Sequence, residues 1–464
     1  MAPGAPSVRC PLLGTSLVSS SPANVCVVGA GYVGLVTATC LAELGHDVVA
    51  LDHDERHTAA LREGVVRIHE PGLRELLLKH AEAGRLRFTA EYAAALSKAN
   101  VIIVAVGTPA RDDGRTDTTA VFDVARRALD YAPGAVLCIK STVTPGTAAE
   151  IARRAGATGL HEPQVVSNPE FLREGQAVRD FMQADRIVIG ATQAAAGDAV
   201  AGLYARLNAP VVRCTPVEAE LAKYASNALL ASRVSFINEM SEIADAVGAD
   251  ITAVSSIVGM DRRIGPAFLR SGLGWGGSCF PKDVLGLARL ARDLDCSSSM
   301  LDATVEVNQR QRTRALGILL DAAAGQPQAT VAVLGLAFKP GTNDVRESPA
   351  LGLIRELLTR GISVRATDPM AIEGSARALH GPEYVLDAYE AAAGADALVL
   401  ATEWPEFIDL DWKAVRSLMR GHTVLDARNV LDPRTIEAHG LVYRALGRDS
   451  VRIERGRNAA LVGG

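Results

Sequence analysis

Aromatic residues make up only 4% of this 464-residue chain. A core so poor in rings is filled by Ala, Val, Leu and Gly, which suits helices packed on sheets better than a β-sandwich. The cysteine pattern excludes more. Cys10, Cys26, Cys40, Cys138, Cys214, Cys279 and Cys296 are scattered, odd in number and without a CxxC, so neither a disulfide framework nor a zinc site is indicated. A reduced, cytoplasmic setting is expected, with no metal. There is no basic excess either: 48 Lys and Arg stand against 53 Asp and Glu. Nucleic acid is therefore not an expected partner, and anionic ligands must be held by a few placed cations and helix N-termini. No apolar run reaches the roughly 18 residues needed to span a bilayer, so no membrane partner is expected.

The length calls for two or three domains. Residues 1–22 are rich in Pro, Ser and Gly and lack a signal peptide's basic start and apolar run, which reads as a disordered extension. From Asn24 the pattern is strand, glycine turn, helix and strand, with Gly45 as the helix stop and Val48 to Leu51 as the second strand. Further buried strands are predicted at 101–106, 135–139, 164–167 and 186–189, giving a mainly parallel sheet. Residues 218–247 then predict one helix of about eight turns. Strand and helix texture returns after Pro327, with strands at 331–334, 363–367, 397–401 and 423–425 and a helix at 349–360. The expected fold class is α/β: two Rossmann-like doubly wound domains joined by a long central helix. The boundaries drawn are 23–215, 216–320 and 321–450, with a tail at 451–464.

Gly29, Gly31 and Gly34 follow the first strand at GxGxxG spacing. The first permits a tight turn, the second lets backbone approach a pyrophosphate, and the third lets helix and strand pack closely. Asp52 closes the next strand 18 residues beyond Gly34. An acid there bonds a ribose 2′-hydroxyl and repels a 2′-phosphate, so NAD is the expected cofactor rather than NADP. Arg56 and His57 soften that preference unless they face solvent. Gly335 to Pro340 lacks the full glycine spacing but sets Lys339 beside a turn, and Ser348-Pro349 opens a helix. That turn reads equally as an anion site and as an ordinary turn.

Three stretches carry reactive groups. Ser167 to Glu174 leaves a strand, and Glu170 and Glu174 would share one face if the segment turned helically. Glu220, Lys223 and Asn227 are spaced three and four apart, one polar stripe on an apolar helix. Such a stripe needs partners, either another helix or a ligand, because an unpaired buried amide or ammonium is costly. In Gly274 to Asp283 a glycine-rich turn leads into Cys279 and Pro281 starts a helix. A cysteine at a helix N-terminus near a lysine has its thiolate favoured.

GAGYVG, Gly107-Thr108-Pro109, Lys140-Ser141-Thr142-Val143, NPEFLREG, the Lys223/Asn227 helix, Asp261 to Gly265, GGSCFPKD and FKP with Asp344 and Arg346 occur in one order. Together, over residues 24–447, they resemble the UDP-glucose/GDP-mannose dehydrogenase family. The resemblance implies a four-electron oxidation of a sugar C6 alcohol by two NAD+, with UDP-glucose as substrate. It implies Cys279 as the covalent nucleophile, Lys223 as the cation that stabilises oxyanion character, and Asp283, Thr142 and Glu170 as the groups that orient water. Asn227 would bond the sugar. Glu170, Phe171, Leu172, Arg173, Glu174, Phe268, Leu269, Arg270, Ser271, Gly272, Gly276, Phe338 and Lys339 would hold the substrate. Arg263 would reach a neighbouring subunit's substrate, which implies a homodimer or higher homo-oligomer. Tyr32, Val33, Asp52, Thr108, Thr142, Glu174, Lys282 and Arg346 would contact NAD, in the 23–215 segment for the most part, with 321–450 for the UDP-sugar. The family usually has Lys or Arg where His57 stands, near the adenosine ribose. The competing substrates are GDP-mannose and UDP-N-acetylmannosamine. A different class is a non-catalytic NAD-binding sensor, which would need no nucleophile.

Overall fold

Apolar runs become strands where both faces of a sheet are covered. β1 (Asn24–Val28) shows the rule: Val25 and Val27 join one hydrophobic cluster, Cys26 and Val28 the cluster on the opposite face. Residues 21–157, 163–326 and 328–448 are described by the structure, a computed structural model. The extension expected at 1–22 and the tail at 451–464 lie, but for Ser21 and Pro22, outside the described residues. The chain divides into two units, Met1–Ser226 and Asn227–Gly464.

Among its described residues the first unit holds eight strands: β1, β2 (Asp47–Leu51), β3 (Leu86–Thr89), β4 (Val101–Val104), β5 (Val136–Ile139), β6 (Val165–Ser167), β7 (Ile187–Ala191) and β8 (Val211–Cys214). They lie in the order β3-β2-β1-β4-β5-β6-β7-β8. All pairs are parallel except β6 with β7. Sequence order reverses between β1 and β4, which is where open α/β sheets bind ligands. β4 and β5 are buried throughout, as parallel strands covered by helices on both faces must be.

The second unit carries β9 (Thr330–Leu334), β10 (Ser363–Thr367), β11 (Glu383–Tyr384), β12 (Ala397–Leu400), β13 (Thr423–Asp426) and β14 (Val442–Ala445), all parallel, in the order β11-β10-β9-β12-β13-β14. Its helical part includes Ile251–Gly259, Phe280–Asp293 and Ser299–Ala323. The fold is α/β, two doubly wound parallel sheets with a long helix in the chain between them.

That helix is Pro216–Val247, two residues longer at its start than the sequence pattern indicates. Thr215 and Glu218 form a reciprocal cap: the Glu218 carboxylate accepts from Thr215 N at 2.7 Å, and Thr215 Oγ1 accepts from Glu218 N at 3.4 Å. Gly248, at φ 73°, ends it. Among the described residues no helix is long and apolar enough to cross a membrane.

One local expectation fails. Residues 168–176 form a loop rather than a helical turn, so Glu170 and Glu174 do not share a helix face. The Glu170 carboxylate folds back to accept from Leu172 N at 2.5 Å, and Gly175 takes φ 79°. Both features compete with helical hydrogen bonding.

Candidate active site

The dinucleotide turn leaves the first sheet at its topological switch. Gly29 has φ 97°, and a Cβ there would stand 2.6 Å from the Ala105 carbonyl oxygen. A Cβ on Gly34 would collide with the Gly29 carbonyl, whereas one on Gly31 would meet nothing. Backbone is therefore approachable from outside at Gly31 alone of the three. Helix Tyr32–Glu43 begins there with no side-chain cap, so its first N–H groups remain for an anion. Asp52 accepts from Ala30 N at 2.8 Å and from Asp54 N at 3.0 Å. His57 does not face solvent: it is half-buried with Nε2 3.0 Å from the Ala30 carbonyl, while Arg56 is exposed. These residues fit a dinucleotide. Thr108 Oγ1 donates to the Thr142 carbonyl at 2.8 Å, tying the loops after β4 and β5 together.

A buried polar cluster lies in the same unit. Lys223 Nζ is 2.9 Å from Glu170 Oε1, and both side chains are almost fully buried. Burial alone would raise the Glu170 carboxyl; the Lys223 ammonium, the Leu172 N–H and the Lys140 charge outweigh it and hold the group below its usual range. Lys140, also buried, reaches Asn168 Oδ1 at 3.3 Å and Tyr204 Oη at 3.4 Å, and burial pushes its ammonium down. One turn before Lys223, the Glu220 carboxylate accepts from Gly146 N at 2.6 Å, Ala148 N at 3.0 Å and Ser167 Oγ at 2.9 Å. Burial raises this acid. Phe171 stacks under Arg186, 3.8 Å from guanidinium carbon to ring centroid.

In the second unit Cys279 is the N-cap of helix Phe280–Asp293, with Pro281 in the first turn. The thiol is half-buried, 3.5 Å from Ser278 Oγ. Asp283 lies one turn on and is fully buried. Asn227 Nδ2 donates to its Oδ2 at 2.6 Å, and Lys282 Nζ to its Oδ1 at 2.5 Å. The glycines before Cys279 are there for close approach. A Cβ on Gly276 would collide with the Glu347 carbonyl, and one on Gly277 would stand 2.8 Å from the Phe338 ring. Gly277 N also donates to the Arg346 carbonyl at 3.1 Å. GGSCFPKD and the Phe338–Arg346 loop, far apart in sequence, thus meet.

Residues 23–208 match the NAD binding domain of the UDP-glucose/GDP-mannose dehydrogenase family, 217–310 its central domain and 332–433 its UDP binding domain. A UDP-glucose 6-dehydrogenase of Bacillus subtilis is 41% identical over 92% of this chain and 94% of its own. The chain belongs to the UDP-glucose/GDP-mannose dehydrogenase family. The structure of a UDP-glucose dehydrogenase from Pyrobaculum islandicum superposes with TM-score 0.87 at 38% identity, covering 94% of this chain and all of that one. A UDP-D-ManNAc dehydrogenase from Pyrococcus horikoshii gives TM-score 0.82 at 28% identity, covering 91% and 99%.

The family's NAD binding domain therefore holds Gly29, Gly31, Tyr32, Val33, Gly34, Asp52, Thr108, Thr142 and Glu170 to Glu174, while Lys223, Asn227, Cys279 and Asp283 fall in its central domain. The Tyr32 hydroxyl bonds Glu70 and accepts from Gly175 N. Four arginines expected on ligands sit in ion pairs or close to an acid: Arg173 on Asp180, Arg263 on Asp261, Arg346 on Asp344, and Arg270 at 3.9 Å from Glu403. All four are well exposed, and such pairs exchange partners at little cost. Leu269 is buried, Ser271 Oγ donates to the Leu446 carbonyl and Gly272 N to Asn238 Oδ1. The Phe268 and Phe280 rings lie 6.2 Å apart. Lys339 stays over the Phe338 ring, 5.5 Å from its centroid. Sequence reasoning missed Glu70, Asp368 and the half-buried Glu403–Arg428 pair at 2.7 Å. Of these only Asp368 left a signal, an acid closing a strand as Asp52 does.

Proposed function

We propose that the protein oxidises UDP-glucose to UDP-glucuronate, taking up one water and reducing two NAD+. The observation that carries this reading is Cys279 at a helix start, one turn from an Asp283 carboxylate held by Asn227 and Lys282. A binding module needs no such nucleophile, which speaks against a non-catalytic NAD sensor. NAD+, when bound, supplies the hydride acceptor for both oxidations.

The chain's own residues do the rest. Lys223 stabilises negative charge on the C6 oxygen, and Asn227 bonds the sugar. Cys279 adds to the C6 aldehyde and retains it as a thiohemiacetal, which the second oxidation converts to a thioester. Water, oriented by Glu170, Thr142 and Asp283, adds to the acyl carbon; the carbon–sulfur bond breaks, the thiolate leaves and the uronate forms. Residues 23–215 serve the cofactor, 321–450 the UDP-sugar, and 216–320 substrate binding and dimerisation. Gly31 and Asp52 take the pyrophosphate and ribose. Arg173, Arg263, Arg270, Lys282, Lys339 and Arg346 would meet anionic groups by exchanging their present partners, and Phe268 to Gly272 and Gly276 would supply backbone. A homodimer is supported by the exposed ridge Leu229, Phe236, Ile243 and Val247 on one long helix. A cytoplasmic setting is supported by the six cysteines of the described residues, all free thiols.

Purified protein with UDP-glucose and NAD+ tests this. Two NADH per uronate are expected. Turnover with UDP-N-acetylmannosamine or GDP-mannose and none with UDP-glucose would overturn the substrate; NAD binding without turnover on any nucleotide sugar would overturn the enzyme.

A further inference from the structure

Glu70 lies outside every motif of the sequence and is buried, with 6% of its surface exposed. It follows His69 and opens the Pro71-Gly72 turn, so nothing local explains its burial. Its partners do. Oε2 takes the Tyr32 hydroxyl and accepts from Gly175 N at 2.9 Å; Oε1 accepts from Val178 N at 3.2 Å. Gly175 N also donates to the Tyr32 oxygen at 2.8 Å. Burial, then the Glu70 bond, push the Tyr32 phenol up, which keeps it a hydroxyl donor.

Three segments converge on this one carboxylate. Tyr32 is the first residue of the helix behind the glycine turn. Gly175 lies near the end of the loop that begins at Asn168 and carries Glu170, and Val178 lies in the first turn of helix Ala177–Met182. The loop is thus pinned near its start by Lys223 on Glu170 and at its end by Glu70 and Tyr32.

We infer that Glu70 is a positioning residue for the hydrolytic half of the reaction: through Tyr32 it holds the Glu170 loop in register with the cofactor turn. The inference rests on the dehydrogenase reading, in which Glu170 orients the water that splits the Cys279 thioester. Loosening the latch leaves the thiol and the hydride acceptor in place but misplaces the water, and misplacement of about 1 Å can slow a step by up to about a hundredfold.

Glu70→Gln and the gentler Tyr32→Phe are compared with wild type in the full-length protein. NADH release is followed in the first turnover and at steady state, and acid-quenched protein is weighed. Expected is a first-turnover burst of two NADH per site, a steady-state rate about tenfold lower, and an acyl adduct accumulating on Cys279. Burst and steady-state rate falling together with no adduct would mark a merely structural residue and overturn the inference. So would variants that match wild type in both phases. Wild type inert with UDP-glucose would instead overturn the functional reading. Should Glu70→Gln fail to fold, Tyr32→Phe alone gives either answer, since it keeps the carboxylate and both its backbone bonds.

Discussion

At the carboxyl end of β2, Asp52 accepts from two backbone N–H groups, Ala30 and Asp54. At the same place in the second sheet, the end of β10, Asp368 accepts from five donors: Leu336 N, Ala337 N, Met370 N, Ala371 N and Trp404 Nε1. A carboxylate offers about four lone-pair sites, so Asp368 is saturated while Asp52 has acceptor capacity left. The turns diverge in step. Gly29 and Gly335 share a left-handed φ, 97° and 99°. But Ala337 and Pro340 stand where Gly31 and Gly34 stand in the first turn, and the next helix waits until Pro349. One topology is thus a dinucleotide site or a sealed turn according to one acid's spare valence and two glycines.

The largest test of this division of labour is at Cys279. If the second unit supplies a nucleophile rather than a second dinucleotide turn, Cys279→Ser should stall after the aldehyde and lower uronate formation by at least about a thousandfold, with NAD affinity kept. Next is Asp52→Ala, which removes a charged hydrogen bond to the ribose; KM for NAD+ should rise about tenfold or more, with little change in Tm. Asp368→Asn should do the opposite. It leaves KM for NAD+ unchanged and costs about 1–3 kcal/mol in denaturant unfolding, because two of its former donors face an amide. An Asp368 variant with altered NAD+ kinetics would break the comparison.

The smallest effect sharpens it at Glu170, whose carboxyl is held below the usual range in the folded state. Its stabilising contribution is therefore present above the ordinary glutamate pKa and lost as pH falls through the lowered value. The unfolding free energies of wild type and Glu170→Gln should differ by a constant amount at neutral pH and converge on acidification.

How much the sequence disclosed follows from the same physics. β4, β5 and β12 are covered on both faces, so they read as unbroken apolar runs. β3 (LRFT) and β11 (EY) are sheet edges with exposed positions, and no run marks them. Gly29, Gly31, Gly34 and Asp52 were legible because a turn and a strand end fix their spacing. The stripe of Glu220, Lys223 and Asn227 was legible as one that needs partners, but the partners themselves, Ser167, Glu170 and Asp283, were not paired by any periodicity. Glu70 was invisible, since its bonds span 38 to 108 residues of chain. The four-residue spacing of Glu170 and Glu174 could not decide between a helical turn and the loop at 168–176, because the Glu170 carboxylate bonds its own backbone.

Whether a sulfur carries the sugar through its second oxidation is best seen directly, by mass spectrometry of acid-quenched protein taken during turnover of UDP-glucose. The peptide containing Cys279 should bear a UDP-glucuronyl group labile to hydroxylamine. Steady turnover with that peptide bare at every time point, and undiminished in Cys279→Ala, would contradict the account.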